Sequence, residues 1–144
     1  MAIITPTCWI LFHSDKVFEN EYTLRDWLIG GLKKDNGGCY FLTKRFSIKP
    51  GSVLLFERNG FIVGSAIAKE TVRKPTQDEN TLAGTYKLVL RIIPDSIWVW
   101  KEPFVSLQDL KIEGIKIPLG IPAQRISIFD ILKIFSIVCK TNVG

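Results

Sequence analysis

The stretch Ile48–Lys69, IKPGSVLLFERNGFIVGSAIAK, predicts two β-strands folded against each other. Pro50-Gly51 sets a turn at its start, because proline fixes φ and glycine accepts a positive φ. Ser52–Glu57 is then an apolar run, and Phe61–Ala68 returns as its partner strand. Asn59-Gly60 between them is typical of a hairpin, since a type I′ turn needs positive φ at both central residues.

Gly64 interrupts the second strand of this hairpin. A residue without a side chain inside a strand usually marks a β-bulge or the close approach of another backbone. We expect one of these features at Gly64. Any small β-structure could contain such a hairpin, so the stretch indicates a fold class and no function.

The residues before the hairpin predict, in order, a buried strand, a helix, a loop and a short strand: Thr7–Ser14, Glu19–Leu32, Lys33–Gly38 and Cys39–Leu42. The helix is indicated by apolar residues at roughly helical spacing. Within it, Thr23 and Asp26 resemble a capping pair.

The residues after the hairpin predict an exposed loop, two strand regions, a helical turn, an irregular stretch and a final helix: Thr71–Thr85, Tyr86–Ile93, Ser96–Val105, Ser106–Asp109, Ile112–Pro122 and Ile128–Lys140. Ser127 and Asp130 mark the start of the final helix. We expect its apolar face to lie on the strands, and that face consists of Ile128, Ile131, Leu132, Phe135 and Val138. These elements predict an α+β fold, a small mixed β-barrel flanked by helices, in one domain spanning residues 1–144.

Composition excludes several classes of protein. A hydrophobic content of 47% is too high for a disordered chain, and no apolar run approaches the ~20 residues that span a bilayer. The N-terminus has no positive region and no small-residue cleavage site, so we expect neither a signal peptide nor a membrane partner. The net charge of +5 is compatible with a nucleic-acid partner without requiring one.

The cysteines and the single histidine predict no metal site. Cys8, Cys39 and Cys139 are an odd number without CxxC spacing. Neither a metal nor another cofactor is therefore expected, and a reducing cytoplasm is the predicted location.

Four motifs follow one another along the chain: WILFHS at Trp9–Ser14, YTLRDWL at Tyr22–Leu28, FSIKPGSVLLFE at Phe46–Glu57 and VGSA at Val63–Ala66. In this order they resemble the EVE domain, which carries W-L-F-K-S, Y-S-I-D-D-L, K-V-G-D-x-V-L-F-Y and I-V-G-x-A. The EVE domain belongs to the PUA-like group and is similar to the YTH domain. The resemblance covers about Cys8 to Lys69.

The chain departs from these families at three places. His13 stands where the EVE motif has lysine. Cys39-Tyr40-Phe41 occupies the region of the tryptophan-bearing EVE segment T-T-W-D-G-V-R-N. Leu82 stands where YTH domains have a second tryptophan of the base-binding cage.

The resemblance implies a reader of nucleic acid that binds a modified base in an aromatic-lined pocket after the base has left its stack. EVE-like domains also form the DNA-reading N-terminal part of McrBC-type modification-dependent restriction systems. The implied function is recognition of a modified base in DNA by base flipping, with a nucleotide-hydrolysing restriction subunit as a further partner. DNA is preferred over RNA, and an RNA reader of the PUA, ASCH or YTH type stays open.

The predicted base pocket consists of Ser14, Trp27, Tyr40 and Phe41. Trp27 is either a wall on which a base stacks or a core residue, and Ser14 either bonds the base edge or caps a loop. Tyr40 and Phe41 alternate along a strand, so we expect only one of them to face the pocket.

Basic side chains are the candidate contacts to phosphate: Lys44, Arg45, Lys49, Arg58, Arg73, Lys74 and Arg125. Arg125 lies just before the last helix, where YTH domains have an arginine that contacts the nucleic-acid backbone. Trp98 and Trp100 share one face of a strand, which is either a stacking platform or a buried face.

Two function classes other than a nucleic-acid reader stay open. One is an enzyme in which His13 and Cys39 form a base and a nucleophile. The chain has no motif that would orient this pair, so we expect a binding module without catalysis. The other is a protein-interaction domain that uses an apolar patch of Trp98, Trp100 and Phe104.

Overall fold

A computed structural model describes residues 7–117 and 122–143 of the chain. Its strands are β1 Cys8–His13, β2 Cys39–Leu42, β3 Val53–Arg58, β4 Phe61–Ile67, β5 Leu88–Arg91, β6 Trp98–Val99, β7 Val105–Ser106 and β8 Ala123–Ile126. Its α-helices are α1 Glu21–Trp27, α2 Gln77–Ala83, α3 Leu107–Ile112 and α4 Ile128–Val143. A π-helical segment, Leu28–Asp35, continues α1, and a 3₁₀ turn at Pro94–Ser96 precedes β6.

The hairpin of β3 and β4 confirms the prediction from Ile48–Lys69. Asn59 and Gly60 both have positive φ, as the tight turn requires. The pairing of β3 with β4 shifts register beside Gly64, which is the predicted bulge. A Cβ atom on Gly64 would lie 2.7 Å from the carbonyl oxygen of Trp98, so the predicted close approach of another backbone is present as well.

β1 lies inside a mixed sheet whose strands follow the order β6-β4-β3-β1-β8, with β7 also pairing with β4. It runs parallel to β3 and antiparallel to β8. β2 and β5 form a separate antiparallel pair, which an isolated bridge between Ala68 and Ile92 joins to the end of β4. The α+β class is confirmed.

The strands do not close into the predicted barrel within the described parts of the chain. β6 is two residues long, the Trp100 N–H still donates to the carbonyl oxygen of Val63, and the chain pairs with β4 again at β7. β8 ends the sheet on the opposite side. Because the two edge strands do not pair with each other, the sheet stays open.

Side chains alternate between two hydrophobic cores, one on each face of the sheet. The first core contains Trp9 and Phe56 with Leu24 and Leu28 from the first helical region. The second core contains Ile10, Leu55 and the buried residues of α3 and α4. Both faces of β1 are therefore covered.

The apolar face of α4 differs from the predicted one. Ile131 and Val138 are buried as expected, and Ile134 is buried with them. Ile128 and Leu132 are exposed instead. The helix contacts the sheet through a narrow i, i+3, i+7 stripe, which turns these two residues away.

The N-cap of the first helix is Asn20, three residues before Thr23, which was the predicted cap. The Asn20 side chain accepts hydrogen bonds from the N–H groups of Tyr22 and Thr23, and the Thr23 side chain returns a bond to Asn20. Asp26 is therefore not part of the cap. The π-helical segment extends the helical region through Asp35, into what was predicted as a loop.

α2 was not predicted, because Thr71–Thr85 has no helical period. Thr76 and Glu79 form a capping box at its start. The Glu79 carboxylate also accepts hydrogen bonds from Arg73, at 2.7 Å, and from Arg91, at 3.1 Å. The hydrogen bond from Arg73 is the main reason that the pKa of Glu79 lies well below its usual value. These polar contacts hold α2 against β5.

We predict that Glu79→Gln lowers the free energy of unfolding at pH 7 by about 1–3 kcal/mol, because it leaves two arginines without their buried partner. Glu70→Gln is the matched control. Both carboxylates bond Arg73, but the side chain of Glu79 is 9% exposed and that of Glu70 is 41% exposed. The control should stay within about 0.5 kcal/mol of the parent protein.

Urea denaturation measures both changes. Because the pKa of Glu79 is lowered, its stabilisation is present above pH 4.5 and disappears as the pH falls below that value. The difference between the parent protein and Glu79→Gln should shrink accordingly. Equal losses in the two variants would contradict the assignment of α2's anchor to Glu79.

Candidate functional site

A cavity of about 1070 Å³ opens on the side of the first core. It lies among the end of β1, the α1–π region, β2 and the segment that ends α2. Ser14, Trp27, Tyr40 and Phe41, the four residues of the predicted base pocket, all line it. The sequence thus identified residues that the fold brings together from three separate parts of the chain.

Aromatic rings dominate the lining of the cavity. Besides the predicted residues, the lining includes rings from β1, from the loop after it, from the segment before β3 and from the segment after α2, which are Phe12, Phe18, Phe46 and Tyr86. These four residues were not among those predicted for the base pocket. Phe46 begins the motif Phe46–Glu57 that resembles the EVE domain, and its place in that motif was the only sequence signal that could have identified it.

Trp27 is half-buried and lies between the first core and the cavity. Its ring packs against Phe18, at a centroid distance of 5.2 Å, and against Tyr40, at 6.2 Å. It contacts the first core and also lines the cavity. A Cβ atom on Gly31 would overlap the indole ring, so the absence of a side chain at Gly31 leaves the space that Trp27 occupies.

His13 and Tyr40 join β1 to β2 at the cavity wall. His13 Nε2 lies 2.7 Å from the Tyr40 hydroxyl oxygen, and His13 Nδ1 lies 2.9 Å from the carbonyl oxygen of Glu57. The imidazole also stacks on Phe56, with centroids 6.1 Å apart. These contacts fix the orientations of both rings.

Both members of this pair are neutral at physiological pH. Burial lowers the pKa of His13 from 6.5 to about 4, against the opposing effect of its hydrogen bond to the Glu57 carbonyl group. Burial also raises the pKa of Tyr40 above its usual value. The wall therefore presents hydrogen-bonding groups without net charge.

Tyr40 and Phe41 both line the cavity, so the expectation that only one of them would do so was wrong. β2 is four residues long, and the two residues that follow Phe41, Leu42 and Thr43, line the cavity as well. The cavity extends around the edge of this short strand, and alternation therefore excludes neither ring.

Leu82 and Ser14, two positions that the resemblance to YTH and EVE domains makes relevant, both belong to the lining of the cavity. Leu82, on α2, lines the cavity and is half exposed. Ser14 is exposed, follows β1 directly and accepts backbone hydrogen bonds from Val17 and Phe18 through its carbonyl oxygen. This carbonyl orders the loop that carries Phe18.

Two of the predicted phosphate contacts each form at least two hydrogen bonds or ion pairs within the protein. Arg58 donates from Nε to the carbonyl oxygen of Phe18, at 2.7 Å, and from Nη2 to that of Glu19, at 3.0 Å. Arg73 pairs with Glu70 and Glu79. These contacts give both arginines a structural role that requires no phosphate.

The remaining predicted cations are on the surface. Lys44 and Arg45 directly follow the lining residue Thr43, and Arg45 donates one hydrogen bond to the carbonyl oxygen of Val72. Lys49 and Lys74 are exposed further along the chain. Arg125 is exposed on β8 opposite Trp9, so it shares the sheet face that bears the first core.

The apolar patch predicted for a protein-interaction domain is mostly interior. Trp100 is 2% exposed and Phe104 is also buried. Trp98 is 38% exposed and stacks on Phe135 of α4, at a centroid distance of 6.2 Å. Neither tryptophan is among the lining residues of the cavity, and the two form a packing contact with each other instead of a stacking platform.

The structure does not bring His13 and Cys39 together as a base and a nucleophile. The Cys39 sulfur contacts Arg91, at 3.3 Å, and the Glu79 carboxylate, at 3.8 Å. Burial raises the pKa of this thiol. A buried thiol whose sulfur contacts Arg91 and Glu79 does not fit the base and nucleophile of the enzyme alternative.

Within residues 7–117 and 122–143, no group of three or more His, Cys, Asp or Glu side chains could hold a metal ion. The helices in the same ranges are too short or too polar to cross a membrane.

We predict that Gly31→Ala lowers the free energy of unfolding by about 1–3 kcal/mol, because the new methyl group forces the Trp27 ring out of its place. Gly30→Ala is the matched control in the same helical segment, since a Cβ atom there meets nothing within 4 Å. The control should be neutral or stabilised by up to about 1 kcal/mol. Chemical denaturation measures both, and equal effects would contradict the packing described for Trp27.

We predict that the protein loses up to about 3 kcal/mol of unfolding free energy as the pH falls from 6.5 to 4. The pKa of His13 is lowered, so the unfolded chain binds a proton in this range that the folded chain does not. The stabilisation is complete above pH 6.5 and is lost as the pH falls.

His13→Asn should reduce this pH dependence, because the chain contains no other histidine. The raised pKa of Glu57 acts in the opposite direction in both proteins and cancels when they are compared. Denaturation curves at several pH values test the prediction. An unchanged slope in His13→Asn would show that His13 is not a buried neutral group.

The sequence matches no protein-family model and no curated protein. Its fold is nevertheless similar to solved structures. The ASCH protein of Zymomonas mobilis aligns with a TM-score of 0.56 at 8% identity, over 90% of this chain and 94% of that one. A hypothetical protein from Leishmania major aligns with a TM-score of 0.62 at 10% identity, over 95% and 97%.

The YTH domain of a Zygosaccharomyces rouxii protein, solved in complex with N6-methyladenosine RNA, aligns with a TM-score of 0.52 at 15% identity, over 96% of this chain and 91% of that one. Identities this low show the fold alone. The EVE resemblance therefore stays a prediction, and the chain has an α+β fold similar to that of these ASCH and YTH structures.

Proposed function

We propose that this chain is a nucleic-acid-binding recognition module that reads a modified base in the aromatic cavity. The observation that carries the proposal is the convergence of Ser14, Trp27, Tyr40 and Phe41 on one cavity. These residues were selected as a base pocket from the sequence. Further support comes from the fold, which is similar to that of a YTH domain solved with modified RNA.

Stacking is the physical basis of the proposed site. A base inside a duplex hides its edge and both faces, so a small modification is read best after the base has been flipped out. Flipping costs a few kcal/mol, and stacking on an aromatic ring returns about 1–3 kcal/mol per base. Trp27 is the ring we assign to this role, because it is half-exposed at the cavity while Phe18 and Tyr40 hold it from the side.

The modification itself adds a smaller energy. Burying one methyl group contributes about 1 kcal/mol, which corresponds to a preference of roughly fivefold to tenfold. Larger discrimination requires that the unmodified base leaves part of the cavity unfilled. The apolar side chains of Phe46 and Leu82 at the lining are suited to contact such a group.

Affinity for the backbone is assigned to the exposed cations. Arg125 on β8, Lys44 beside the cavity and Lys74 are the proposed phosphate contacts, because each is on the surface. Contacts of this kind supply affinity without sequence information and weaken steeply as salt rises. Arg58 and Arg73 are omitted, since their guanidinium groups already bond within the protein.

DNA is the proposed polynucleotide, because the ordered motifs resemble EVE domains of modification-dependent restriction systems. In that setting the module is cytoplasmic, and catalysis belongs to a nucleotide-hydrolysing subunit. The second candidate is a reader of modified RNA. The similarity to a YTH domain in complex with N6-methyladenosine RNA favours it.

The test is a competition among modified and unmodified strands of DNA and RNA, with Trp27→Ala and Trp98→Ala as matched variants. The proposal expects a preference for one modified strand, which Trp27→Ala abolishes and Trp98→Ala preserves. Non-specific binding should persist in Trp27→Ala and should fall by orders of magnitude as salt rises through the physiological range, if several phosphates are contacted.

Each variant must first melt cooperatively, because removal of a core tryptophan costs about 3–5 kcal/mol. A folded Trp27→Ala protein that still discriminates would show that the base binds elsewhere. Affinity that does not change across a salt titration would contradict the phosphate contacts.

A further inference from the structure

The protons shared by His13 and Tyr40 have one arrangement. The carbonyl oxygen of Glu57 can only accept, so His13 Nδ1, 2.9 Å away, carries the hydrogen and donates it. Burial keeps the imidazole neutral. A neutral ring with a hydrogen on Nδ1 has a bare lone pair on Nε2.

The Tyr40 hydroxyl group must therefore donate its hydrogen to His13 Nε2, 2.7 Å away. Its oxygen retains only lone pairs for any other partner. His13 and Tyr40 both line the cavity, so their hydrogen bond lies at its wall. A hydroxyl group normally serves as either donor or acceptor, and here the fold has removed the donor.

We propose that the hydrogen bond from Tyr40 to His13 makes the Tyr40 oxygen an obligate acceptor, so that the cavity selects a base with an exocyclic N–H group over its carbonyl counterpart. This inference rests on the function proposed above. An amino group opposite Tyr40 completes a hydrogen bond. A carbonyl group at the same place sets two acceptors against each other and leaves both without a hydrogen.

A comparison with Tyr86 shows how the hydrogen bond to His13 restricts the Tyr40 hydroxyl group. Its ring also lines the cavity, but Tyr86 is exposed on the segment after α2. A hydroxyl group that reaches water can rotate to donate or accept. Tyr86 therefore has no basis for selecting between amino and carbonyl groups, and Tyr86→Phe is the matched control for Tyr40→Phe.

The experiment measures the affinity of single-stranded oligonucleotides that differ at one central base. One pair carries 5-methylcytosine or thymine, which share the methyl group and differ in a 4-amino or 4-oxo group and in whether the neighbouring N3 accepts or donates a hydrogen bond. The second pair carries adenine or hypoxanthine. The parent protein should prefer the amino member by roughly tenfold or more in the pair that it accepts.

Two variants should change the ratio of the affinities for the amino and carbonyl bases, one by removing the Tyr40 oxygen and the other by removing His13 Nε2. Tyr40→Phe removes the acceptor, and His13→Phe frees the Tyr40 hydrogen so that the hydroxyl group can donate again. Both should bring the ratio of affinities toward one, while Tyr86→Phe leaves it unchanged. Damage to the cavity as a whole would weaken both members of a pair and leave their ratio as it was.

The outcomes separate this inference from the proposed function. Base-dependent binding in which the carbonyl member is equal or preferred would overturn the inference and leave the function standing. An amino preference that persists in folded Tyr40→Phe and His13→Phe would do the same. Affinity that is equal for all four central bases would overturn both.

Discussion

The parallel pairing of β1 with β3 is the constraint on which the rest of the structure depends. Parallel strands need a long crossover connection, and here that connection runs from Ser14 to Ser52. It contains α1, the π-helical segment and β2, and the connection as a whole supplies half of the residues that line the cavity. The same pairing brings the end of β1 beside the end of β3, where His13 reaches the carbonyl oxygen of Glu57.

The hydrogen-bonded pair of polar side chains at the cavity wall, His13 and Tyr40, carries no charge. Burial keeps both His13 and Tyr40 uncharged. The arginines nearby are engaged elsewhere, because Arg58 bonds backbone carbonyl groups of the loop after β1 and Arg73 bonds carboxylates. An aromatic surface with an uncharged His13–Tyr40 pair at its wall is suited to stacking a flat, uncharged ligand, while exposed cations outside it are suited to a phosphate chain.

Much of the fold and part of the candidate site follow from local sequence signals. Asn59-Gly60 predicts the hairpin because only a few residues accept positive φ. Gly64 predicts the bulge and the close approach of Trp98. α2 escaped prediction because its anchor, Glu79, bonds Arg91, which lies on β5, and no local pattern reveals such a partner.

The sequence by itself determined which residue types occupy the strands, where the chain turns, and that Trp27, Tyr40 and Phe41 are candidates for one site. Only the tertiary structure decided that Tyr40 and His13 share a hydrogen bond, that Arg58 and Arg73 bond within the protein, and that Trp100 is buried. The physical reason is the distance along the chain between the interacting residues. Turns and strand alternation depend on neighbouring residues, whereas side-chain hydrogen bonds between distant segments depend on the register in which those segments pack.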